Sequence, residues 1–206
     1  MVERGCPMED RTDLRVVKTL ESIKNGFAFC IKQKKFSNLT VTDLTAAARI
    51  NRSTFYKYYN DKYDLRDFLI TSTLEELSAQ INMEPFHLEH NRVNISLDLL
   101  RKQLQFMYDH KEWYLILWNK NTELYVFDDM LHIFEQRTRE NFSNLLHQTQ
   151  NTEFHLTEKQ ELFVRLFSSS AMTTVKWWYE YAPNLSSADV SQIIIDNIKY
   201  GMRAFL

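Results

Sequence analysis

Glycine is the residue type that most constrains the fold of this chain. Only three glycines occur in 206 residues, and Gly5, Gly26 and Gly201 lie far apart. A phosphate-binding loop, a dinucleotide-binding fingerprint and the nucleophile elbow of a serine hydrolase each need clustered glycines, so the sequence excludes all three. The chain also has only three prolines. Few glycines and prolines among many long side chains favour a mostly helical protein.

The charge of the chain is unevenly distributed. Hydrophobic residues make up 44% and charged residues 25% of the sequence, which is typical of a folded globular protein. Residues 1–70 contain 13 Lys and Arg against 9 Asp and Glu, a net charge of +4, whereas residues 71–206 carry a net charge of -6. This division favours a module that faces a polyanion, joined to a body with another task. The alternative is that the charged residues are distributed by chance, because the positive excess in residues 1–70 is small.

Neither the cysteines nor the apolar runs indicate a disulfide framework or a membrane segment. Cys6 and Cys30 are the only cysteines, and Cys30 falls on an apolar helix face, as a buried thiol does. A single disulfide between the two is the alternative. The apolar run Tyr114–Trp118 is far shorter than a membrane span of ~20 residues. Residues 1–10 lack the apolar core of a signal peptide, so we expect a cytoplasmic protein without membrane contact.

Apolar residues recur at helical spacing along most of the chain, which predicts an all-α fold of about nine helices. No alternation of strand type is sustained, and Pro85 marks a predicted break over residues 82–93. The predicted helices cover approximately residues 13–35, 41–48, 52–59, 62–81, 97–107, 113–118, 124–145, 163–178 and 190–205.

Two short helices joined by a tight turn follow the long first helix. Thr40 and Asp43, three residues apart, resemble a capping box that opens the second helix. Arg49 and Ile50 form the predicted turn, and Asn51 is a suitable N-cap for the third helix. A long helix followed by this pair is the plan of a helix-turn-helix, whose last helix enters the major groove of DNA.

The N-terminal end of the third helix carries side chains suited to reading DNA. Arg52, Ser53 and Thr54 lie there, where donors can reach base edges, and an arginine can form bidentate bonds with guanine. Phe55 and Tyr59, four residues apart, are predicted to face the core of the same unit.

Side chains that reach phosphates are predicted beside them. Tyr56, Lys57 and Tyr58 lie on the exposed turn of the third helix, where hydroxyls and an ammonium can contact the backbone of DNA. Lys62 opens the fourth helix, where the positive end of the helix dipole and the ammonium together favour a phosphate.

Residues 40–44 and 50–65 resemble the DNA-binding region of the TetR family of bacterial transcriptional regulators. That pattern has a threonine at the start of the second helix, a small turn, a recognition helix ending in an aromatic pair, and a lysine at the start of the fourth helix. Arg49 stands where the family usually has glycine. The resemblance covers roughly residues 13–70. It implies phosphate contacts by Thr40, Tyr56, Tyr58 and Lys62, and base-edge contacts by Thr42, Arg52, Ser53, Thr54 and Lys57.

The resemblance also implies a homodimer formed by the last two helices. Small side chains on one helix and bulky side chains on the next suit close helix packing, and a contact within one chain is the alternative reading. The expected interface residues are Ser170, Val190, Ile194, Ile198 and Gly201.

An effector pocket and a metal site are the remaining candidates in the body of the chain. An aromatic set could line an effector pocket or form plain core: Trp113, Phe127, Phe134, Phe167 and Trp178. His87 and His90 lie close to Glu84 and Glu89, but a solvated loop is the more common meaning of such a cluster. We therefore expect no metal and no cofactor.

The sequence is thus interpreted as a two-part regulator and not as an enzyme. Residues 1–60 form the helix-turn-helix domain, and residues 61–206 form a helical regulatory and dimerisation domain. The resemblance implies a repressor that binds a palindromic operator as a homodimer and is released by a small-molecule effector. The alternative is a helical ligand-binding protein or a small enzyme that keeps only the fold, although no catalytic constellation supports it.

Overall fold

The computed structural model describes residues 14–81, 86–89, 92–147 and 156–202, and side chains within residues 14–81, 96–144 and 156–197. Nine α-helices, one β-hairpin and two single-turn 3-10 helices occur in these ranges. In chain order the elements are α1 (Leu14–Ile31), a 3-10 turn (Phe36–Asn38), α2 (Val41–Ala48), α3 (Arg52–Tyr58), α4 (Lys62–Ile81), β1 (Phe86–Glu89), β2 (Arg92–Ile95), α5 (Leu97–Asp109), α6 (Lys111–Trp118), a 3-10 turn (Lys120–Thr122), α7 (Val126–His147), α8 (Glu158–Tyr181) and α9 (Ser187–Met202).

The predicted helical class is confirmed, and one local prediction is corrected. Within the predicted break, β1 and β2 pair antiparallel, with Phe86 opposite Ile95 and Glu89 opposite Arg92. Each strand has only four residues. A period of two residues repeats too few times in such a strand to stand out from the helical stripes around it.

The structure divides into two compact units. The first contains the chain up to Thr73 together with Trp113–Val126, and the second contains Leu74–Glu112 and the chain from Phe127 onward. The predicted boundary after residue 60 therefore falls inside the first unit. The reason is that α6 completes the core of that unit: the indole nitrogen of Trp113 donates a 2.8 Å hydrogen bond to the hydroxyl of Thr73.

In the first unit, α1 and α2 approach each other closely. A Cβ placed on Gly26 would lie 2.8 Å from the backbone nitrogen of Ala48, closer than real Cβ atoms come to backbone. Glycine on α1 and alanine on α2 therefore permit this packing. Ile23, Phe27 and Leu44 are almost fully buried along the contact.

In the second unit, α9 packs against α5 and α8. The ring of Tyr108 stacks on Trp178 with centroids 4.7 Å apart, and the indole nitrogen of Trp178 donates to the carbonyl of Leu185 at 2.9 Å. At the start of α9, the side chain of Ser186 accepts from the backbone nitrogen of Asp189, and its hydroxyl donates back to the Asp189 carboxylate.

Candidate nucleic-acid interface

A reciprocal capping box opens α2. The hydroxyl oxygen of Thr40 accepts from the backbone nitrogen of Asp43 at 3.1 Å, and the Asp43 carboxylate accepts from the Thr40 backbone nitrogen at 3.0 Å. The hydroxyl of Thr40 also donates to this carboxylate at 2.7 Å. The predicted capping box is confirmed, and Thr40 is exposed. Because its hydroxyl proton is already donated, a contact from this group to a phosphate requires the bond to Asp43 to be exchanged.

The ammonium of Lys34 keeps the capping carboxylate of Asp43 ionised. The ammonium of Lys34 lies 2.7 Å from the second carboxylate oxygen of Asp43. The hydrogen bond from Lys34, and after it the bonds from Thr40, lower the pKa of Asp43 to about 2. The start of α2 is therefore closed by an ionised carboxylate at neutral pH.

The turn between α2 and α3 has the hydrogen bonds of a Schellman motif. The backbone nitrogen of Arg49 donates to the carbonyl of Ala46 at 3.2 Å, and that of Ile50 donates to the carbonyl of Thr45 at 3.1 Å. Arg49 adopts the left-handed conformation, with φ 55° and ψ 42°. The predicted tight turn is confirmed, and it has the backbone that glycine usually supplies.

Two aromatic side chains anchor α3 to the first unit. Phe55 is fully buried and Tyr59 is 6% exposed, with their ring centroids 5.8 Å apart. The ring of Tyr59 also packs against Phe68 of α4 at 5.6 Å. This confirms the prediction that the two residues face the core, so the opposite face of α3 is turned to solvent.

The exposed face of α3 is polar and cationic. Arg52, Ser53, Tyr56 and Lys57 are exposed. The guanidinium of Arg52 donates a 3.2 Å hydrogen bond to the Tyr56 hydroxyl and lies 5.8 Å from the centre of that ring. The ammonium of Lys57 lies 5.5 Å from the ring centre of Tyr58. Donors therefore extend along the whole outer face of this short helix.

Most residues predicted to contact DNA lie at the surface of the first unit. The exposed members are Thr40, Thr42, Arg52, Ser53, Tyr56 and Lys57, and the half-buried members are Thr54 and Tyr58. Exposure is what a DNA contact requires, and it does not by itself separate base-edge contacts from phosphate contacts.

Lys62 occupies a different place from the one predicted for it. Its ammonium donates to the backbone carbonyls of Phe36 at 3.0 Å, Ser37 at 2.9 Å and Leu39 at 2.8 Å. It also lies 5.0 Å from the ring centre of Phe36. An ammonium has three N–H donors, and all three are used here. Lys62 therefore stabilises the connection between α1 and α2, and its predicted contact with a phosphate would require these bonds to be exchanged.

Glu123 supports the same connection, and its sequence surroundings give no sign of this role. The backbone nitrogen of Ser37 donates to its carboxylate at 3.0 Å, and the ammonium of Lys35 lies 3.8 Å away. The bond from the Ser37 backbone is the main cause that lowers the pKa of Glu123. Ser37 and Glu123 are 86 residues apart in the chain, so no local pattern could have indicated the pair.

The aromatic residues predicted for an effector pocket are divided between the two units. Trp113 belongs to the first unit, where its ring packs edge-on against Phe27. In the second unit, Trp178 is buried against Tyr108, and the ring of Phe127 lies 5.0 Å from the ammonium of Lys176.

Phe167 stacks on Phe163 and packs against Phe134. Of the five predicted residues, Phe134 alone is in the lining of the cavity in the second unit. Of the other four, Trp113 and Trp178 are buried and Phe127 and Phe167 are half-buried, as aromatic residues on the packed face of a helix often are.

An apolar cavity of about 30 Å³ lies inside the second unit. This volume corresponds to about two water molecules. Its apolar lining includes Leu77, Ile81, Leu104, Met107, Met172 and Val175. Gln80 and Gln103 are its polar members, and the amide nitrogen of Gln103 donates to the Gln80 carbonyl at 3.3 Å. Gln103 is 7% exposed, so the cavity contains a buried amide in a mostly apolar wall.

Two residues predicted at a subunit interface are buried within the single chain. Val190 and Ile194 are 0% and 3% exposed, so they present almost no surface to a second subunit. Both are corrected to core positions, because this face of α9 packs on its own unit. Ser170 is exposed, whereas Ile198 and Gly201 lie outside the described side chains.

A different face of the last two helices is exposed and apolar. The large apolar residues on it are Leu162, Leu166, Trp177 and Tyr181 of α8 and Ile193 of α9. Leu162, Leu166, Trp177 and Tyr181 follow helical spacing, which places them on one side of α8 together with Ser170.

Membrane-spanning helices and clusters of metal ligands are absent from the described ranges. In the ranges that the structure describes, no helix has both the length and the apolar composition to cross a bilayer. The same ranges contain no group of three or more His, Cys, Asp or Glu residues able to hold a metal ion. The side chain of His87, together with His90 and Cys6, lies outside the described residues, and Cys30 is a buried free cysteine.

Comparisons with known proteins agree with this geometry. No family model matches the chain. The uncharacterized HTH-type transcriptional regulator YxbF of Bacillus subtilis (strain 168) is 31% identical over 70 residues, which cover 34% of this chain and 18% of that relative. The match therefore spans less than a fifth of the relative's length.

Solved structures match over nearly the whole chain. A TetR transcriptional regulator from Streptococcus agalactiae 2603V has a TM-score of 0.52 at 19% identity, with 92% of this chain and 97% of that chain covered. The dihydroxyacetone kinase operon activator DhaS has a TM-score of 0.52 at 15% identity, with 92% and 98% covered. The chain has the fold of a TetR transcriptional regulator.

Proposed function

We propose that this protein is a transcriptional regulator that binds duplex DNA through α2 and α3. The observation that carries the proposal is the two-sided character of α3. Phe55 is fully buried and fixes the helix, while Arg52, Ser53 and Lys57 are exposed on the other side. A helix held in this way can enter a major groove and offer donors to base edges. The shared fold and the 70-residue match to a helix-turn-helix regulator support the same conclusion.

The proposed DNA-binding form is a homodimer, which matches a palindromic operator. A dimer carries two recognition helices, and sites of this class place their half-sites ~34–36 Å apart. We assign the dimer contact to the exposed apolar face of α8, represented by Leu166 and Trp177, together with Ile193 of α9. An exposed stripe of large apolar side chains is typical of a protein–protein contact.

Sedimentation tests the dimer. Leu166→Glu places a charge on the exposed face and is expected to give a folded monomer with weakened binding to operator DNA. Lys102→Glu, an exposed charge change on α5, is the matched control and is expected to remain dimeric. A Leu166→Glu protein that sediments as the wild type would contradict this interface.

The proposed effector is a small apolar molecule with one hydrogen-bonding group. It would bind in the cavity of the second unit, where Gln103 supplies a buried amide. Because the cavity holds only about 30 Å³, such a ligand has to widen it, and binding is thereby coupled to movement of the surrounding helices.

The proposed regulatory effect is repression, in which the bound protein blocks access to a promoter. The protein is proposed to act in the cytoplasm. DhaS, which shares the fold, is named an operon activator, so a reporter gene has to decide the sign. Expression from the bound promoter is expected to rise when the gene for this protein is deleted. A fall in expression would assign activation instead.

Selection of binding sites tests the DNA-binding proposal. The full-length protein is incubated with a random-sequence library of duplexes, and the bound fraction is amplified and sequenced over several rounds. The expected result is an enriched palindrome whose protection is confirmed by footprinting on genomic DNA. A library that stays random, with no binding of duplex at low salt, would contradict the proposal.

A further inference from the structure

Arg49 has a backbone conformation that its residue type disfavours. Its φ of 55° and ψ of 42° lie in the left-handed region, where a side chain with a Cβ crowds the following carbonyl. The Schellman bonds of the turn use only backbone atoms of residues 45–50. Glycine would form the same turn without strain. The fold therefore does not need the arginine side chain, which points to another use for it.

The guanidinium of Arg49 is exposed and has no partner among the residues that the structure describes. Two other cations of the first unit are engaged: Lys34 binds Asp43 and Lys62 binds three carbonyls. Glu123 provides a contrast, since it also has a positive φ of 65° but its carboxylate holds the backbone of Ser37. Its side chain thus has an internal role, whereas that of Arg49 has none in the described structure.

The position of Arg49 is next to the proposed DNA-reading side chains. It lies in the turn between α2 and α3, three residues before Arg52 at the start of α3. A guanidinium on a long flexible stem at this point can reach a phosphate beside the groove that α3 enters. We propose that Arg49 is a DNA phosphate contact, retained in the turn in spite of the strain. This inference rests on the proposed function.

The test measures binding of the full-length protein to two duplexes over a range of salt concentrations. One duplex is the sequence selected by the wild type, and the other is a scrambled version of it. Arg49→Gly relieves the strain and removes the cation. It is expected to weaken binding to both duplexes about tenfold and to lower the slope of log K against log salt by about 0.9 for each phosphate that is no longer neutralised. Its thermal midpoint is expected to be no lower than that of the wild type.

Three further variants separate the effect of the positive charge from the effect of the backbone conformation. Arg49→Asn tolerates the left-handed conformation without a charge and is expected to behave like Arg49→Gly. Arg49→Lys keeps a cation and is expected to retain the wild-type slope. Lys102→Gln, an exposed change in the second unit, is the control for a general decrease in positive charge and is expected to leave the slope unchanged.

The outcomes distinguish this inference from the function on which it rests. Failure of the wild type to bind either duplex would overturn the proposed function. Wild-type binding with an unchanged affinity and slope in Arg49→Gly and Arg49→Asn would overturn the phosphate contact alone. Weaker binding with an unchanged slope, or without recovery in Arg49→Lys, would also overturn it, because the arginine would then act through the shape of the turn.

Discussion

Helix α3, the proposed recognition helix, and the cavity of the second unit differ in how their side chains are used. On α3, Phe55 is buried and the neighbouring Tyr56 is 48% exposed, so anchoring and the proposed DNA binding are divided between opposite faces. Around the cavity, the side chains that would meet a ligand are the same ones that pack the core, such as Leu104 and Met172. Substitution of an exposed residue on α3 is thus expected to leave the free energy of unfolding nearly unchanged, whereas substitution of a residue that lines the cavity is expected to lower it.

The largest expected effect is on the anchor of α3. Phe55→Ala removes a fully buried aromatic ring and is expected to lower the free energy of unfolding of the first unit by about 3–5 kcal/mol. Tyr56→Ala, at the exposed neighbour, is the control and is expected to cost well under ~1 kcal/mol. Urea unfolding followed by circular dichroism measures both. Similar losses in the two variants would remove the distinction between the two faces of α3.

The next effect is on the wall of the cavity. Leu104→Ala removes a side chain that is 3% exposed and is expected to cost about 2–5 kcal/mol, because it enlarges a cavity that the core does not refill. Saturating benzene is expected to restore part of the thermal stability of this variant by binding in the enlarged space. A Leu104→Ala protein that benzene does not stabilise would argue against a dry cavity at this place.

Lys62 gives a smaller effect that separates structure from DNA binding. Lys62→Met leaves three backbone carbonyls without their charged donor and is expected to lower the free energy of unfolding by about 2 kcal/mol. The salt dependence of DNA binding is expected to stay unchanged, since the three N–H donors of this ammonium are used within the chain. The opposite pattern, unchanged stability with a lower salt slope, would return Lys62 to the DNA contacts.

The smallest effect concerns the cap of α2 and depends on pH. Asp43 has a pKa of about 2 in the folded protein, below its ordinary value of 3.8. A carboxyl with a lowered folded-state pKa stabilises the fold above its ordinary pKa, and this contribution is lost as the pH falls toward about 2. Asp43→Asn is therefore expected to cost about 1 kcal/mol at neutral pH and almost nothing near pH 2. Unfolding curves between pH 2 and pH 7 check this; a cost independent of pH would contradict it.

The sequence predicted the first unit well because its signals are local. The capping box of Thr40 and Asp43, the inward pair Phe55 and Tyr59, and the turn at Arg49 each depend on residues within about one helical turn. The internal bonds of Lys62 have no such local signal, because its three acceptors are 23–26 residues earlier in the chain. A charge at a helix start indicates a phosphate only when no internal acceptor takes it.

Predictions for the second unit were less accurate for a related reason. Apolar residues at helical spacing show that one face of a helix is buried, but they do not show what covers that face. The sequence pattern of Val190 and Ile194 is therefore compatible with a subunit interface and with the core of one chain. The same ambiguity placed Trp178 in a pocket. The hairpin over residues 86–95 did carry a signal, the alternation of Phe86 and Leu88 with polar neighbours, but it extends over only four residues in each strand.

The binding of Arg52→Ala to the selected duplex and to its scrambled version tests the role of α3 most directly. If α3 reads base edges, removal of this exposed guanidinium is expected to weaken binding to the selected duplex by roughly 5- to 150-fold, which corresponds to about 1–3 kcal/mol. Binding to the scrambled duplex is expected to change little. Equal weakening on both duplexes would show that Arg52 contacts phosphate, and unchanged binding on both would contradict the assignment of α3 as the recognition helix.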